Sequence, residues 1–391
     1  MDHVLRCHEM VRSDIVRGRG CLVYDVADRA YVDFEAGVWC ANLGHGHPKV
    51  LKAIQTQSEE LMHIGYRYTN RLAERASVAV LSTLGWAEGR CLFLSSGSEA
   101  VEFAVAAARR RADRPRLLTF AGAYLSAYGS AGAQLPEAWH RFDGTECETC
   151  AHGVECDRDC DRLRTIPFER IDGFVFDSGN MHGTAHFPPL GPVRQIAARV
   201  REDGGVVVAN EVTTGMGRTG RWAGFEHYGL RPDLVAFGKG LGNGYPVSAV
   251  ALTPAVAGPI EASEYRYVQS HQNDPLACAV ACEVIASLRD EGLIERADRV
   301  GAHFLDRLEG LADSTDAVRE VRGRGLMLAA DLDAQIVSAA SIYERLFRRG
   351  FIVGRLDDLN LLRFYPPLTI ALDEIDAMMD ALSDALEEEV K

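Results

Sequence analysis

Short apolar runs alternate with helix-patterned, amphipathic stretches between about residue 90 and residue 255. This alternation is typical of an α/β protein, in which helices cover a mostly parallel sheet. The runs that predict strands are residues 91–94, 117–120, 174–176, 206–209, 234–237 and 249–252. Helical patterns lie between them at residues 99–111 and 192–203, and the second begins with a proline, which is favoured in a first helical turn.

A smaller second lobe is expected from the length of the chain and from a change in its character. A chain of 391 residues exceeds one compact core. After residue 285, long charged helical patterns at 282–311 and 341–349 surround short strand patterns near 325–331 and 361–364. An alternating patch at 21–34 predicts a hairpin that joins this lobe. We therefore expect a large domain at residues 51–284 and a small α+β domain made of residues 1–50 and 285–391.

The charge of the chain excludes several classes of partner. Its formal net charge is -14, whereas binding to nucleic acid or to an anionic membrane needs a basic surface. The sequence contains no run of about eighteen apolar residues that could span a membrane. Its first residues are polar and acidic rather than those of a signal peptide. These features predict a cytoplasmic enzyme.

One lysine stands out in a chain that has four lysines and thirty-eight arginines. Lys239 ends the apolar run at 234–238 and is followed by Gly240, Gly242 and Gly244. A desolvated lysine can lose its proton and condense with a carbonyl group, which a guanidinium cannot do. The alternative is an ordinary lysine at a strand edge whose ammonium group reaches solvent. We favour a reactive amine.

A candidate phosphate site precedes this lysine in the chain. Residues 95–99, SSGSE, follow a predicted strand and open a predicted helix. Ser96 and Glu99 have the spacing of a capping box, and Gly97 allows a ligand to approach the backbone closely. The N–H groups and the positive dipole end of a helix N-terminus suit a phosphate. The motif taken alone is also compatible with a simple helix start.

Two longer motifs make the pattern specific. The stretch VVVANEVTTGMGRTG at 206–220 is a buried strand that ends in polar residues and a glycine-rich turn, and GKGLGNGYP follows at 238–246. Together they resemble the signature of the class III aminotransferases, which include ornithine, acetylornithine and ω-amino acid enzymes. The resemblance extends to NLGHGHP at 42–48, RGRGLM at 322–327 and RFYPPL at 363–368.

The resemblance implies a fold type I enzyme that depends on pyridoxal 5′-phosphate and acts on an amino donor and a keto-acid acceptor. Lys239 would hold the cofactor as an internal aldimine and move a proton between Cα and C4′. Ser96, Gly97 and Ser98 would form the phosphate loop, joined by Ser270 from the second subunit of a homodimer.

The resemblance also implies residues around the cofactor ring and the substrate. Tyr124 falls where the family stacks an aromatic ring on the pyridine, and Arg363 falls where several members bind a substrate carboxylate, a bidentate task that suits a guanidinium. Trp39 and Arg67 are further substrate candidates, as are Tyr66 and His271. Each of these residues has an alternative role in packing or at the surface.

Position 210 departs from the family pattern. The family has an aspartate that keeps the pyridine nitrogen protonated, whereas this chain has Asn210, which can donate a hydrogen bond but carries no charge. Thr213 replaces a glutamine that is common near the ring hydroxyl. Such a change weakens the ring as an electron acceptor by roughly 1.5–3 kcal/mol.

Three accounts follow from Asn210. The enzyme transaminates with help from another carboxylate such as Asp177, or it is a racemase or epimerase that reprotonates Cα, or Asn210 is a substitution absent from the natural protein. We place transamination first. A cofactor-binding protein that has lost catalysis is a further alternative from a different class.

Four cysteines cluster in an acidic stretch at 143–165, which we interpret as an insertion. They are Cys147, Cys150, Cys156 and Cys160. Close thiols in a cytosolic protein favour a tetrahedral zinc site of structural type over disulfides. An iron–sulfur cluster uses the same ligands, and disulfides or free thiols are the remaining alternatives.

Overall fold

The structure is a computed structural model that describes residues 3–5, 7, 14–110, 113–148, 156–158, 160–179 and 183–390. Its strands are β1 Ile15–Arg19, β2 Leu22–Asp25, β3 Ala30–Asp33, β4 Arg90–Leu94, β5 Arg116–Phe120, β6 Trp139–Phe142, β7 Ile171–Asp177, β8 Val206–Asn210, β9 Leu234–Phe237, β10 Ser248–Leu252, β11 Val318–Arg324, β12 Met327–Leu332, β13 Phe351–Ile352, β14 Gly354–Leu356 and β15 Leu361–Phe364.

Helices connect and cover these strands. They are α1 Ala36–Trp39, α2 Pro48–Glu60, α3 Arg71–Thr83, α4 Gly97–Ala108, α5 Gly129–Ala133, α6 Thr145–Glu148, α7 Asp161–Arg164, α8 Leu190–Glu202, α9 Pro254–Ala262, α10 Pro275–Asp290, α11 Leu293–Ser314, α12 Ala339–Arg348 and α13 Leu372–Val390. Among the described residues, no helix combines the length and the apolar character needed to cross a membrane.

A seven-stranded sheet forms the centre of the fold, in the order β4-β10-β9-β8-β7-β5-β6. Strands β9, β8, β7, β5 and β6 are parallel, while β10 is antiparallel to both of its neighbours. The predicted α/β class with a mostly parallel sheet is thus confirmed, and all six predicted strands of this region are present. The edge strand β6 was not predicted.

Two four-stranded sheets lie outside the central one. One has the order β11-β12-β15-β14, and the other has the order β1-β2-β3-β13. The predicted hairpin is present as β2 and β3, and β3 pairs with β13 from the C-terminal part of the chain. The boundaries expected at residues 50 and 285 stay predictions.

One predicted helix is wrong in its continuity. The helical pattern at 282–311 is divided between α10 and α11, because Gly292 adopts a left-handed conformation with φ 60° and ψ 34°. This conformation is accessible to glycine at little cost. Charged helical sequence continues on both sides of Gly292, and this glycine is the only local sign of the break.

Parallel strands bring their carboxyl ends to one edge of the central sheet. Asp177 at the end of β7 and Asn210 at the end of β8 are direct register partners, and Asn210 pairs with Ala236 of β9. Because register partners in a sheet point to the same face, this edge gathers the polar side chains that the sequence places after each strand. It positions the candidate site.

Candidate active site

Lys239 lies two residues after the end of β9, at the polar edge of the central sheet. Its φ is 40°, an unusual value for a residue with a side chain. Its Nζ donates a hydrogen bond to Oγ1 of Thr213 at 2.8 Å and lies 4.3 Å from the centroid of the Trp39 ring. Burial lowers the pKa of Lys239 from 10.5 to about 8. The amine is therefore far easier to deprotonate than a surface lysine.

Asn210 is fixed by two hydrogen bonds to the backbone. Its Nδ2 donates to the carbonyl oxygen of Tyr124 at 3.2 Å, and its Oδ1 accepts from the N–H of Val212 at 3.2 Å. A primary amide has two N–H donors, so this arrangement engages one and orients the other. The adjacent carboxylate of Asp177 is 4% exposed and accepts from the N–H of Gly179 at 3.3 Å. A negative charge thus lies one strand away from the neutral amide.

The predicted capping box at the start of α4 is confirmed. Ser96 Oγ accepts from the N–H of Glu99 at 3.3 Å, and Glu99 accepts from the N–H of Ser96 at 2.8 Å. The first intrahelical bond of this turn runs from Ala100 to Ser96, so the N–H groups of Gly97 and Ser98 precede the helical ladder. The Ser96 hydroxyl serves the cap, which leaves the backbone of the next two residues for an anion.

Gly97 is required by close packing at this helix start. A Cβ atom there would lie 2.5 Å from Cγ1 of Val212, and a Cβ atom on Gly238 would lie 3.1 Å from Cα of Gly97. The end of β9 and the residues after β8 therefore press against the first turn of α4. This contact brings the first turn of α4 close to the loop that carries Lys239.

The buried carboxylate of Glu211 links several segments at this edge of the sheet through hydrogen bonds. Glu211 is 1% exposed and accepts hydrogen bonds from Ser178 at 2.7 Å, from Thr214 at 2.6 Å, and from the N–H groups of Gly224 and Phe225 at 2.7 and 2.9 Å. Burial raises its pKa to about 7 against the opposing effect of these bonds. Since Glu211 follows Asn210 directly, the network fixes the end of β8.

Trp39 contacts both Lys239 and an ion pair of Arg363 with Glu35. Arg363 forms a bidentate ion pair with Glu35, with Nε–Oε1 and Nη2–Oε2 distances of 2.9 and 3.0 Å. The guanidinium carbon lies 4.8 Å from the centroid of the Trp39 ring, and the indole N–H donates to Glu35 at 3.4 Å. The predicted carboxylate-binding arginine is therefore beside the lysine and already holds a carboxylate.

The segment that carries Trp39 is a left-handed turn. Gly37 and Val38 have φ/ψ values of 57°/53° and 59°/48°, and Ala36 and Trp39 also have positive φ. Such a conformation costs roughly 1–2 kcal/mol for each residue with a side chain. Backbone strain of this kind persists where surrounding contacts impose it, and it concentrates at functional sites.

Other predicted residues lie apart from Lys239 in the single chain. Arg67 is exposed, lies 5.9 Å from the Tyr66 ring, and lines a cavity bordered by α3 and β4. Ser270 is exposed, and the neighbouring Gln269 donates to Glu99 at 3.2 Å. The loop that contains Ser270 thus contacts α4 of its own chain. His271 is described below.

The cysteines of the insertion lie in part outside the described residues, which do not include Cys150. Cys147 and Cys156 are buried, and Cys160 accepts a hydrogen bond from the N–H of Leu163 at 3.4 Å. Among the described residues, the sulfur atoms of these three cysteines do not all lie within 4.8 Å of one another. The three cysteines that the structure describes are therefore not arranged as three ligands of one metal ion.

Three features of this edge were missed in the sequence. Glu35 has no local signal beyond an acidic residue after a predicted hairpin, because its partner Arg363 is 328 residues away. Glu211 forms part of the quoted motif, but its burial was not anticipated. Val212 follows it and was not recognised as the residue that packs against Gly97.

The parallel sheet, the lysine after a strand end and the glycine-lined helix start define a fold type I pyridoxal-phosphate-dependent enzyme. The family model for class-III aminotransferases matches residues 5–130 and 154–386. The chain belongs to this family and is a class III pyridoxal-phosphate-dependent aminotransferase. Residues 131–153, which include Cys147 and Cys150, fall between the two matched segments.

Relatives with curated names and solved structures include aminotransferases and a racemase. Acetylornithine aminotransferase of Caldanaerobacter subterraneus is 30% identical, with 96% of this chain and 94% of the relative covered. Leucine/methionine racemase of Thermococcus litoralis is 28% identical, with 95% and 90% covered. The crystal structure of acetylornithine aminotransferase from Elizabethkingia anophelis has a TM-score of 0.84 at 25% identity, with 99% and 97% covered.

Proposed function

We propose that this aminotransferase moves an amino group from an amino acid to a keto acid, with Lys239 as the group that transfers the proton at the substrate carbon. The buried amine of Lys239, held by Thr213 at 2.8 Å, is the observation that carries the proposal. When bound, pyridoxal phosphate supplies an aldehyde and a ring that accepts electrons. A pKa of about 8 leaves Lys239 able both to release and to take up a proton near neutral pH.

The hydrogen-bond donors around Lys239 match the phosphate and the ring nitrogen of the cofactor. The N–H groups of Gly97 and Ser98 suit its phosphate, and the tight packing of Gly97 against Val212 supports a built cradle. The free N–H of the Asn210 amide suits an unprotonated pyridine nitrogen. We assign Tyr124 to the ring face because its carbonyl anchors Asn210, and Asp177 to electrostatic support of the ring from the neighbouring strand.

We propose that the substrate carries a carboxylate that Arg363 binds. Arg363 and Lys239 lie against the same indole, so a short amino acid can place its amine at one and its carboxylate at the other. A carboxylate must displace Glu35 from Arg363 to bind there. The likeness to acetylornithine aminotransferases supports an amino acid with a second, distal functional group. The exposed Arg67 belongs to a different cavity and is a candidate only if a second subunit completes the site.

Two experiments test the catalytic assignment. Borohydride treatment of the cofactor-loaded protein, followed by peptide mapping, should label residue 239. In a separate, untreated sample, a panel of L- and D-amino acids and diamines, added without a keto acid, should convert the cofactor to a lasting amine form with an absorbance at about 330 nm. A protein that reacts with no member of the panel would favour a cofactor-binding protein without catalysis.

Racemisation or epimerisation is the second candidate, and Asn210 favours it. A neutral amide beside the ring nitrogen lowers the ring's capacity to accept electrons, which favours return of the proton to Cα over transfer of the amino group. The 28% identity to leucine/methionine racemase supports this candidate weakly. Exchange of the Cα hydrogen for deuterium, together with loss of optical activity and without the lasting amine form, would identify it.

We propose a homodimer in which Ser270 reaches the second subunit's phosphate. Large exposed side chains are available for burial in an interface: Met62, Tyr68, Val78, Tyr128 and Val268 are between 52% and 66% exposed. Light scattering coupled to size-exclusion chromatography should give twice the mass of the 42.8 kDa chain. Ser270→Ala should weaken cofactor binding without changing that mass.

We also propose that the cysteine-rich insertion binds structural zinc, supported by its four thiols within fourteen residues. The family model leaves residues 131–153 unmatched, so the part of the insertion that carries Cys147 and Cys150 needs its own source of order. Metal analysis after purification without chelator should find about one zinc per chain more in the wild type than in a variant with Cys156→Ser and Cys160→Ser, and a difference below roughly 0.2 would reject the site. A cytoplasmic location stays a prediction that cell fractionation tests.

A further inference from the structure

Two histidines and an aspartate form a cluster apart from Lys239. Nδ1 of His63 lies 2.5 Å from Oδ1 of Asp274, and Nδ1 of His271 lies 2.5 Å from Oδ2. The two imidazole centroids are 4.7 Å apart. Within the described part of the chain, this is the one group of three potential metal ligands whose atoms lie within 4.8 Å of one another.

The Asp274 side chain pairs with both imidazole rings and does not cap its own helix. It occupies the N-cap position of α10, where an aspartate normally accepts a hydrogen bond from the first turn. No such side-chain bond is present, and each oxygen instead faces one imidazole. The Asp274 side chain is 9% exposed. The carboxylate is thus nearly buried and directed at two ligand nitrogens.

The surrounding backbone fixes Asp274 in place. The preceding Asn273 has φ 57°, its Oδ1 accepts from the N–H of Phe93 at 2.9 Å, and its own N–H donates to the Phe93 carbonyl at 3.0 Å. Asn70 donates to the carbonyl of Asn273 at 2.9 Å. These bonds attach the loop to β4 and to the start of α3. Support of this kind is what holds the ligands of a metal site in position.

We propose that His63, His271 and Asp274 bind a divalent transition-metal ion of the zinc class. Two imidazole nitrogens and one carboxylate oxygen form a ligand set that zinc and related ions use. Each imidazole would carry its proton on Nε2 and coordinate through Nδ1, so that the ion replaces the protons shared with Asp274. Water would complete the coordination, because the His63 and His271 side chains are 44% and 58% exposed.

The ion would have a positioning role rather than a catalytic one. It would connect the segment after α2, which carries His63, to the N-terminus of α10 and to the loop of Ser270. Since Ser270 is the residue expected to reach the second subunit, metal binding here would order the edge of that face. The test below reads ligation alone, so its result is independent of the proposed reaction.

Zinc K-edge absorption spectroscopy of the full-length protein, stripped with chelator and reloaded with Zn²⁺, tests the site. Ligation by nitrogen and oxygen gives distances of about 2.0–2.1 Å, whereas thiolates of the insertion give about 2.3 Å. We expect a nitrogen- and oxygen-bound fraction in the wild type. His63→Ala and His271→Ala should each weaken that fraction at least about tenfold and leave the sulfur-bound fraction unchanged.

His303→Ala is the matched control. His303 pairs with Asp376 at 2.8 Å beside the cation Arg307 rather than beside a second imidazole, so its loss should not change zinc binding. Both test variants alter exposed side chains, and equal melting temperatures without metal would show that the fold is kept. Wild-type protein without nitrogen- and oxygen-bound zinc at about 0.1 mM free ion, or test variants that bind like the wild type, would overturn the proposal.

Discussion

The guanidinium of Arg363 and the carboxylate of Glu35 form a bidentate ion pair near Lys239, against the same indole ring. The two side chains are each 14% exposed, and they meet although 328 residues separate them in the chain. The pair occupies the donors that a substrate carboxylate would use. A substrate carboxylate that binds Arg363 as proposed would therefore compete with the carboxylate of Glu35.

Glu35→Gln should make Arg363 more available to substrate. We expect a KM for carboxylate substrates that is several-fold lower, while Arg363→Ala should raise KM by about tenfold or more because charged hydrogen bonds contribute roughly 1.5–3 kcal/mol. Steady-state kinetics measures both effects. Glu320→Gln is the control, because Glu320 is 63% exposed and pairs with Arg322 at the long distance of 3.6 Å. An Arg363→Ala variant with unchanged KM would place the carboxylate elsewhere.

The lowered pKa of Lys239 predicts a pH-dependent loss of folding stability in the cofactor-free protein. Its pKa falls from 10.5 in its ordinary state to about 8 in the fold because of burial. The folded state therefore binds this proton less tightly, and the cost is complete below about pH 8 and disappears as the pH approaches 10.5. Lys239→Met should stabilise the cofactor-free protein at pH 7, with a benefit that shrinks above pH 8.

Thermal melts of the cofactor-free protein at several pH values check this prediction. Lys52→Met is the control, since Lys52 is exposed and its removal should shift the melting temperature little at any pH. A Lys239→Met variant that is less stable than wild type at pH 7, or a difference that does not change with pH, would contradict it.

Exchanging the charges of Asp177 and Asn210 should change the preference of the reaction. The double variant Asp177→Asn with Asn210→Asp moves one carboxylate from β7 to β8 and keeps the net charge. Because an anion then faces the pyridine nitrogen, we expect amino transfer to rise by about one to two powers of ten relative to Cα–deuterium exchange. The two rates measured on one substrate give this ratio.

Asn210→Asp alone is the informative comparison. It places two carboxylates on register partners and replaces the N–H that Tyr124 accepts. We expect a lower melting temperature without cofactor and a partial recovery with it, since like charges in contact disfavour each other. An unchanged ratio of the two reactions in both variants would show that Asn210 does not set the chemistry.

Gly97→Ala should weaken cofactor binding through packing alone. The added Cβ would lie 2.5 Å from Cγ1 of Val212, so the first turn of α4 must shift. Overpacking typically costs about 1–3 kcal/mol of stability. If the shifted turn loses the same amount in its contacts with the phosphate, the Kd for pyridoxal phosphate rises by roughly 5- to 150-fold. Equilibrium dialysis measures this constant, and Val212→Ala should restore part of the affinity.

Gly258→Ala is the matched control for this substitution. Gly258 lies in α9 and has open space where its Cβ would be, so the change should leave cofactor affinity as it is. If Gly97→Ala binds the cofactor like the wild type, the helix start is not the phosphate site.

Local sequence was sufficient for the parts of the site that depend on neighbouring residues. The capping box of Ser96 and Glu99, the strand before Lys239 and the hairpin of β2 and β3 all depend on residues a few positions apart, where side-chain type and spacing decide the conformation. The same holds for the α/β class, because a run of buried apolar residues between amphipathic helices has few stable arrangements.

Contacts between distant segments were decided only by the tertiary structure. The antiparallel direction of β10, the pairing of β3 with β13, the ion pair of Glu35 with Arg363 and the cluster around Asp274 each join segments whose separation leaves no local pattern. These contacts arise when whole helices and strands pack against one another. No local sequence pattern shows which distant residues this packing brings together. The sequence determined which chemical groups this enzyme has, and the fold determined which of them meet.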